Sequence, residues 1–226
     1  MKTTLASLAL AAAVTAGGAA RAQPVQVVEL FTSQGCSSCP PADLAVASIS
    51  GRPDVLALSF GVTYWDDLGW KDTFGQKKFT ARQWDYAHGL HHNQVATPQV
   101  VVNGRMDVIG QDPREIDAAI ARVRLTAGPE VALTPGSATV SGAAPLRAAV
   151  VWLVRYNPAV QQVPIRRGEN GGKTLPIKNA VKELTRLGDW TGGDKTYALP
   201  SGPAGLKTAI LVQAGPGGPI LAAAKG

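Results

Sequence analysis

Val25-Gln26-Val27-Val28-Glu29-Leu30-Phe31-Thr32-Ser33-Gln34-Gly35-Cys36-Ser37-Ser38-Cys39-Pro40 is the stretch on which the reading of this 226-residue chain turns. Val25 to Phe31 is apolar except for Gln26 and Glu29, the pattern of a parallel strand buried on both faces. Cys36 and Cys39 are the only cysteines in the chain and stand three positions apart. A strand that delivers Cys-x-x-Cys to the start of a helix is the layout of a thiol–disulfide redox site. The competing reading is a passive staple. Loop-closure entropy for so small a ring is worth only about 2 kcal/mol, against about 4.7 kcal/mol for a hundred-residue loop. A chain stabilised by cross-linking is better served by distant cysteines, so thiol chemistry is the stronger reading.

Upstream, Lys2, the alanine-rich apolar run Leu5 to Val14 and the small-x-small site Ala20-Arg21-Ala22 predict a cleaved leader over residues 1–22. The run is too short to anchor the chain in a bilayer, and the alternative is a retained N-terminal helix. Cleavage leaves 204 residues. It removes Lys2 and Arg21 but no acid, so the net charge falls from +6 to +4. No later segment is long and apolar enough to cross a membrane, and the expectation is a periplasmic or secreted protein. In such a compartment the two cysteines meet as a disulfide unless something reduces them. Basic residues gather no more densely than Lys77-Lys78 and Arg166-Arg167, which argues against a nucleic-acid partner.

Along the mature chain, Asp43 to Ile49 has helical composition and Val55 to Tyr64 reads as a second strand. Phe79, Gln83, Tyr86 and Leu90 recur at helical spacing, which predicts a helix from about Lys77. In Thr97-Pro98-Gln99-Val100-Val101-Val102-Asn103-Gly104-Arg105-Met106-Asp107-Val108-Ile109-Gly110, two β-rich runs flank Asn-Gly, the strongest short-range hairpin signal. Asp112-Pro113-Arg114-Glu115 then opens a helix with a cap, a first-position proline and a capping glutamate. Ile116, Ile120 and Val123 line one face of it, and Gly128-Pro129 is read as its stop.

The order β-α-β, a helical insertion, then β-β-α is a thioredoxin-like mixed α/β sheet with helices. Cys36-x-x-Cys39 after the first strand and Thr97-Pro98 before the hairpin are similar to the thioredoxin-like superfamily. That likeness implies a cis-proline loop beside the cysteines. More closely, Glu29-Leu30-Phe31-Thr32-Ser33-Gln34-Gly35-Cys36-Ser37-Ser38-Cys39-Pro40-Pro41-Ala42-Asp43 resembles the secreted bacterial family known as domain of unknown function 1223. The likeness continues through Tyr64-Trp65-Asp66, Leu68-Gly69-Trp70 and Thr97-Pro98-Gln99. It implies export and a thioredoxin-like fold, and supplies no substrate.

The expected domains are a leader over 1–22, a thioredoxin-like domain over 23–128 and a C-terminal antiparallel β-rich domain over 129–226. In the last, Arg147–Tyr156, Val163–Arg166, Thr196–Leu199 and Leu206–Gln213 read as strands, and Glu169-Asn170-Gly171-Gly172 as a turn. Asn179 to Leu187 suits either a helix or a strand. Nothing in this part looks catalytic.

By superfamily likeness, Cys36 is the exposed attacker and Cys39 the resolving thiol. Pro40-Pro41 lack N–H groups and are expected to delay the helix, weakening its effect on the Cys36 anion. Glu29 is the candidate buried acid beneath Cys39, relaying its proton, or else a strand-edge residue reaching solvent. Thr97 and Pro98 are the candidate substrate-binding loop, a cis bend exposing backbone groups to an extended segment. No cofactor and no metal ligand set is assigned. His88, His91 and His92 leave open a soft-metal site with the thiolates, such as Cu(I). Tyr64, Trp65, Trp70, Trp84 and Tyr86 suit either a groove or a core. The expected function is thiol–disulfide exchange with a thiol- or disulfide-bearing protein or small molecule. The alternative is a copper- or partner-binding module with the cysteines as ligands or a passive bridge.

Overall fold

The computed structural model describes residues 23–226, so the leader expected over 1–22 lies outside the described residues. The first strand, β1 (Gln26–Thr32), is buried along its whole length. Its alternation sorts the core. Val28 and Leu30 face α1 (Pro40–Ile49) through Ala42, Ala45, Val46 and Ile49. Val27 and Phe31 face the other way, onto Phe79 and Tyr86 of α2 (Lys77–Gly89). That split follows from the two-residue period of a strand.

β2 (Val55–Gly61) pairs parallel with β1, from Gln26↔Val55 to Thr32↔Gly61. β3 (Gln99–Val102) pairs antiparallel with β1 and turns through Asn103-Gly104 into β4 (Met106–Val108). Asn103 and Gly104 take φ of 52° and 61°, which an Asn-Gly turn accommodates. The Asn103 side chain is buried and ties the hairpin back. Its Oδ1 accepts the Val27 N–H at 2.7 Å, and its Nδ2 donates to Gln26 Oε1 at 2.9 Å. α3 (Pro113–Arg122) then starts on Asp112, whose carboxylate accepts the Arg114 N–H at 2.9 Å. Glu115 reaches back to the Gly110 N–H at 2.9 Å, past the cap residue. Ile116, Ala119 and Ile120 bury beside α1. The helix ends at Arg122, before Gly128-Pro129.

The C-terminal part is antiparallel and β-rich, as expected, and the hydrogen-bonded sheet runs on into it. β7 (Ala149–Asn157), β10 (Ala180–Trp190), β12 (Lys207–Gln213) and β13 (Ile220–Lys225) join it, after β5 (Glu130–Leu133) and β6 (Ser137–Ser141). The eight-stranded order is β13-β12-β7-β10-β2-β1-β3-β4. The join is one parallel pair, Ala180↔Ser59, reinforced where Asn179 Nδ2 donates to Ala57 O at 2.7 Å. The ambiguous Asn179–Leu187 segment is therefore strand, because the β2 edge needs a partner. β5 and β6 with β11 (Lys195–Ala198) form a small sheet, and their Val140 and Tyr197 pack on Leu153 and Ile210. β8 (Gln161–Pro164) and β9 (Thr174–Ile177) form a hairpin whose Ile177 clusters with Trp70 and Phe74. Its connecting turn reaches the cysteines.

Candidate functional site

β1 ends at Thr32 and the chain turns through Cys36 N–H to Ser33 O (3.1 Å) and Cys39 N–H to Cys36 O (3.3 Å). α1 begins at Pro40, with no delay. Its two prolines occupy first-turn positions that have no intrahelical acceptor to lose, and Cys39, already helical at φ −76° and ψ −37°, is the cap. Cys36 and Cys39 form a disulfide with Cα atoms 5.5 Å apart. Opposite them the Thr97–Pro98 bond is cis. The Thr97 carbonyl lies 3.7 Å from Cys36 Sγ, and Ser38 Oγ lies 3.3 Å from it. Cys36, Cys39, Thr97 and Pro98 thus come together from two segments.

The exposure expected for Cys36 is corrected. Both cysteines are 0 % exposed, while Ser37 and Ser38 between them face solvent. Two segments close over the loop. Trp65 donates Nε1 to Thr97 Oγ1 at 2.8 Å, and Trp70 donates to Gln34 Oε1 at 2.9 Å. From the β8–β9 turn, the buried Asn170 donates Nδ2 to Cys36 O at 2.8 Å and Gln34 O at 3.1 Å. Glu169 Oε2 accepts the Ser37 N–H at 3.0 Å. The C-terminal part, expected to hold nothing of the site, supplies its cover.

Glu29 is also corrected. It is wholly buried, so it does not reach solvent, yet it shares the Val27–Phe31 side of β1, away from α1 and Cys39. There Arg82 of α2 grips it, Nε to Oε1 at 2.7 Å and Nη2 to Oε2 at 3.1 Å. Tyr86 donates its hydroxyl to Glu29 Oε2, and Arg82 Nη1 donates to Gln213 Oε1 at 3.1 Å. Burial works against the Arg82 charge, but Glu29 and Tyr86 outweigh it and hold the guanidinium firmly protonated. This is a buried ion pair whose hydrogen-bond partners among the described residues lie on the α2 side of β1, away from the cysteines.

The acid on the cysteine side is Asp43, which residue-by-residue reading passed over. It stands one helical turn after Cys39, its N–H on the Cys39 carbonyl at 3.1 Å, and is buried among the β1-facing residues. Neither its Oδ1 nor the neighbouring Thr32 Oγ1 has a hydrogen-bond partner among the described residues. Burial pushes the carboxyl up to about 8; the Thr32 hydroxyl beside it works the other way, and Asp72 adds to the rise. Its visible signal was a lone acid in an apolar helix, four residues past a cysteine. Asp72 is itself raised by burial, and accepts the Gln34 N–H at 2.8 Å and the Phe74 N–H at 2.7 Å.

The aromatic set divides. Tyr86 is core, Trp65 and Trp70 belong to the cover, and Tyr64 and Trp84 are exposed. His92 Nε2 pairs with Asp107 Oδ1 at 3.0 Å on the surface. Among the described residues, no group of three or more His, Cys, Asp and Glu is placed to hold a metal. No described helix is long and apolar enough to cross a membrane.

A family model described as "Protein of unknown function (DUF1223)" matches residues 27–213. The crystal structure of protein AGR_C_4864 from Agrobacterium tumefaciens is similar at 32% identity and a TM-score of 0.74. It covers 91% of this chain and 95% of its own. HBP35 of Porphyromonas gingivalis is similar at 17% identity and a TM-score of 0.62, over 90% of this chain and 75% of its own, which shows a shared fold. No curated protein matches the chain.

Proposed function

The chain belongs to the DUF1223 family of proteins of unknown function, and from that footing we propose that it is an exported thiol–disulfide oxidoreductase. The observation that carries this reading is the Cys36–Cys39 disulfide at the start of α1, with Cys36 Sγ against the carbonyl that precedes cis-Pro98. A substrate thiolate attacks the Cys36 sulfur, the Cys36–Cys39 bond breaks, and Cys39 leaves with the electron pair. A second substrate thiolate then displaces Cys36 from the mixed disulfide. The substrate has lost two electrons as a disulfide, and the pair has gained them as thiols. The same steps reversed reduce a substrate disulfide. The Thr97–Pro98 backbone receives an extended substrate segment. A groove of about 360 Å³ beside it, lined by His92, Gln94, Pro98, Gln99 and Asp107, gives that segment room. Both sulfurs are covered, so the Trp65 and Asn170 segments must part for a protein substrate to enter.

Asp43 is the proton partner of Cys39 in this scheme. A buried leaving thiolate needs a proton close by, and a carboxyl that stays protonated near neutral pH can give one. The same property predicts a pH signature in the oxidised protein. The folded state keeps a proton that the unfolded chain releases, so stability falls as pH rises from about 3.8 towards about 8. Asp43→Asn should flatten that decline in urea titrations at stepped pH, and should slow exchange most below pH 8. Parallel wild-type and variant stability profiles would remove Asp43 from the site.

The function itself is tested by equilibrating the mature chain in glutathione redox buffers and following a mixed-disulfide reporter. A working pair exchanges and titrates above about −300 mV, the region below which structural disulfides fall. A pair that stays oxidised across the whole series and turns over no reporter is a staple, and the reading ends there.

A further inference from the structure

Several amides around Cys36 are engaged within the turn and the start of α1. Cys36 N–H goes to Ser33 O, Cys39 N–H to Cys36 O, and Ala42 and Asp43 N–H both to Cys39 O, while Pro40 and Pro41 have none. The Ser37 N–H, directly after the cysteine, goes to a carboxylate instead, Glu169 Oε2 at 3.0 Å. The turn that carries this exposed carboxylate is held from several sides. Asn170 anchors the turn on the Gln34 and Cys36 carbonyls, Lys173 Nζ holds Asn170 Oδ1 at 3.0 Å, and Gly171 N–H closes on Gly168 O at 3.0 Å. The Ser37 N–H and hydroxyl keep Glu169 below the usual carboxylate range, so it is an anion at neutral pH.

We propose that Glu169 sets the acidity of Cys36, and through it the reduction potential of the pair. This rests on reading Cys36 as the attacking thiol. Reducing the disulfide takes two electrons and one proton and leaves a Cys36 thiolate and a Cys39 thiol. Only the reduced form carries a new negative charge. A carboxylate hydrogen-bonded to the next amide repels that charge and occupies a donor adjacent to the cysteine. Glu169 therefore raises the Cys36 thiol pKa and favours the disulfide. The other titratable groups near this corner are Lys173 on Asn170, Asp43 in α1 and Asp72 on the Gln34 amide. Arg166 and Arg167 flank the turn in sequence and are exposed. The C-terminal part thus contributes charge to the redox site as well as cover.

The test is the Cys36 alkylation rate against pH, measured with iodoacetamide on the reduced mature chain, together with the glutathione equilibrium of the pair. Glu169→Gln keeps an oxygen for the Ser37 N–H and removes only the charge. It should lower the Cys36 midpoint and shift the equilibrium about two- to fivefold towards the reduced form, the scale of an exposed charge interaction. The shift should shrink as added salt shortens the screening length. Asn170→Ala loosens the turn that places Glu169, and should speed alkylation at every pH and move the midpoint in the same direction as Glu169→Gln, by no more. Coincident midpoints for wild type and Glu169→Gln overturn the proposal, and so does a shift that added salt leaves undiminished. Alkylation reports the thiol itself. Failure of the oxidoreductase reading shows instead as a wild-type pair that exchanges with no reporter.

Discussion

Cys39→Ser should accumulate disulfide-linked adducts through Cys36 in the cell that expresses it, and Cys36→Ser should accumulate none. Exchange runs through a mixed disulfide on the attacking sulfur, which the second thiol then releases. Cys36 lies in the turn against the Thr97 carbonyl, whereas Cys39 caps α1 and faces inward with Asp43. Each single variant should lose about three orders of magnitude or more in turnover, as removal of a nucleophile does. Because both sulfurs are covered, adduct yield also reports the cover. Pairing Cys39→Ser with Asn170→Ala should raise it further, because Asn170 holds the Cys36 carbonyl. Non-reducing electrophoresis followed by identification of the linked species is the measurement. Adducts from Cys36→Ser alone would reverse the two roles. Adducts from neither variant would leave the pair as a bridge.

The parts of the site that sequence disclosed are those encoded locally. Cys36-x-x-Cys39, Thr97-Pro98 and the Asn103-Gly104 turn each carry their geometry within a few residues, and Asp112-Pro113 does the same for α3. Strands β5, β6, β9 and β13 were not legible. β13 contains Ala222-Ala223-Ala224, which has no strand preference of its own, and it is a strand because the β12 edge accepts it. β1 alternates faithfully, but nothing local says which of its faces α1 will cover. That is why Glu29 was assigned to the wrong side. The turn over residues 169–172 was legible, but the hold of Asn170 on the cysteines was not, since it depends on a contact spanning 134 positions to the Cys36 carbonyl.

Glu29 should accordingly matter to the fold and leave the exchange rate alone. Arg82→Leu leaves the Glu29 carboxylate buried against Tyr86 without its cation, with Gln213 also losing a donor. Removing one partner of a buried ion pair costs about 3–5 kcal/mol, because the charge left behind is neither solvated nor neutralised. Glu29→Gln is milder, since the amide can still accept from Tyr86, yet it strands the Arg82 guanidinium. The double variant Glu29→Leu with Arg82→Leu removes both charges together. It should be less destabilised than the sum of the two single Leu changes, the sign of direct coupling. Urea midpoints at constant slope measure each effect, and the glutathione exchange rate is read on the same samples. A midpoint for Arg82→Leu within about 1 kcal/mol of wild type would show the pair to be dispensable. Slowed exchange in Glu29→Gln at unchanged stability would return Glu29 to the cysteines, against the face of β1 on which it lies.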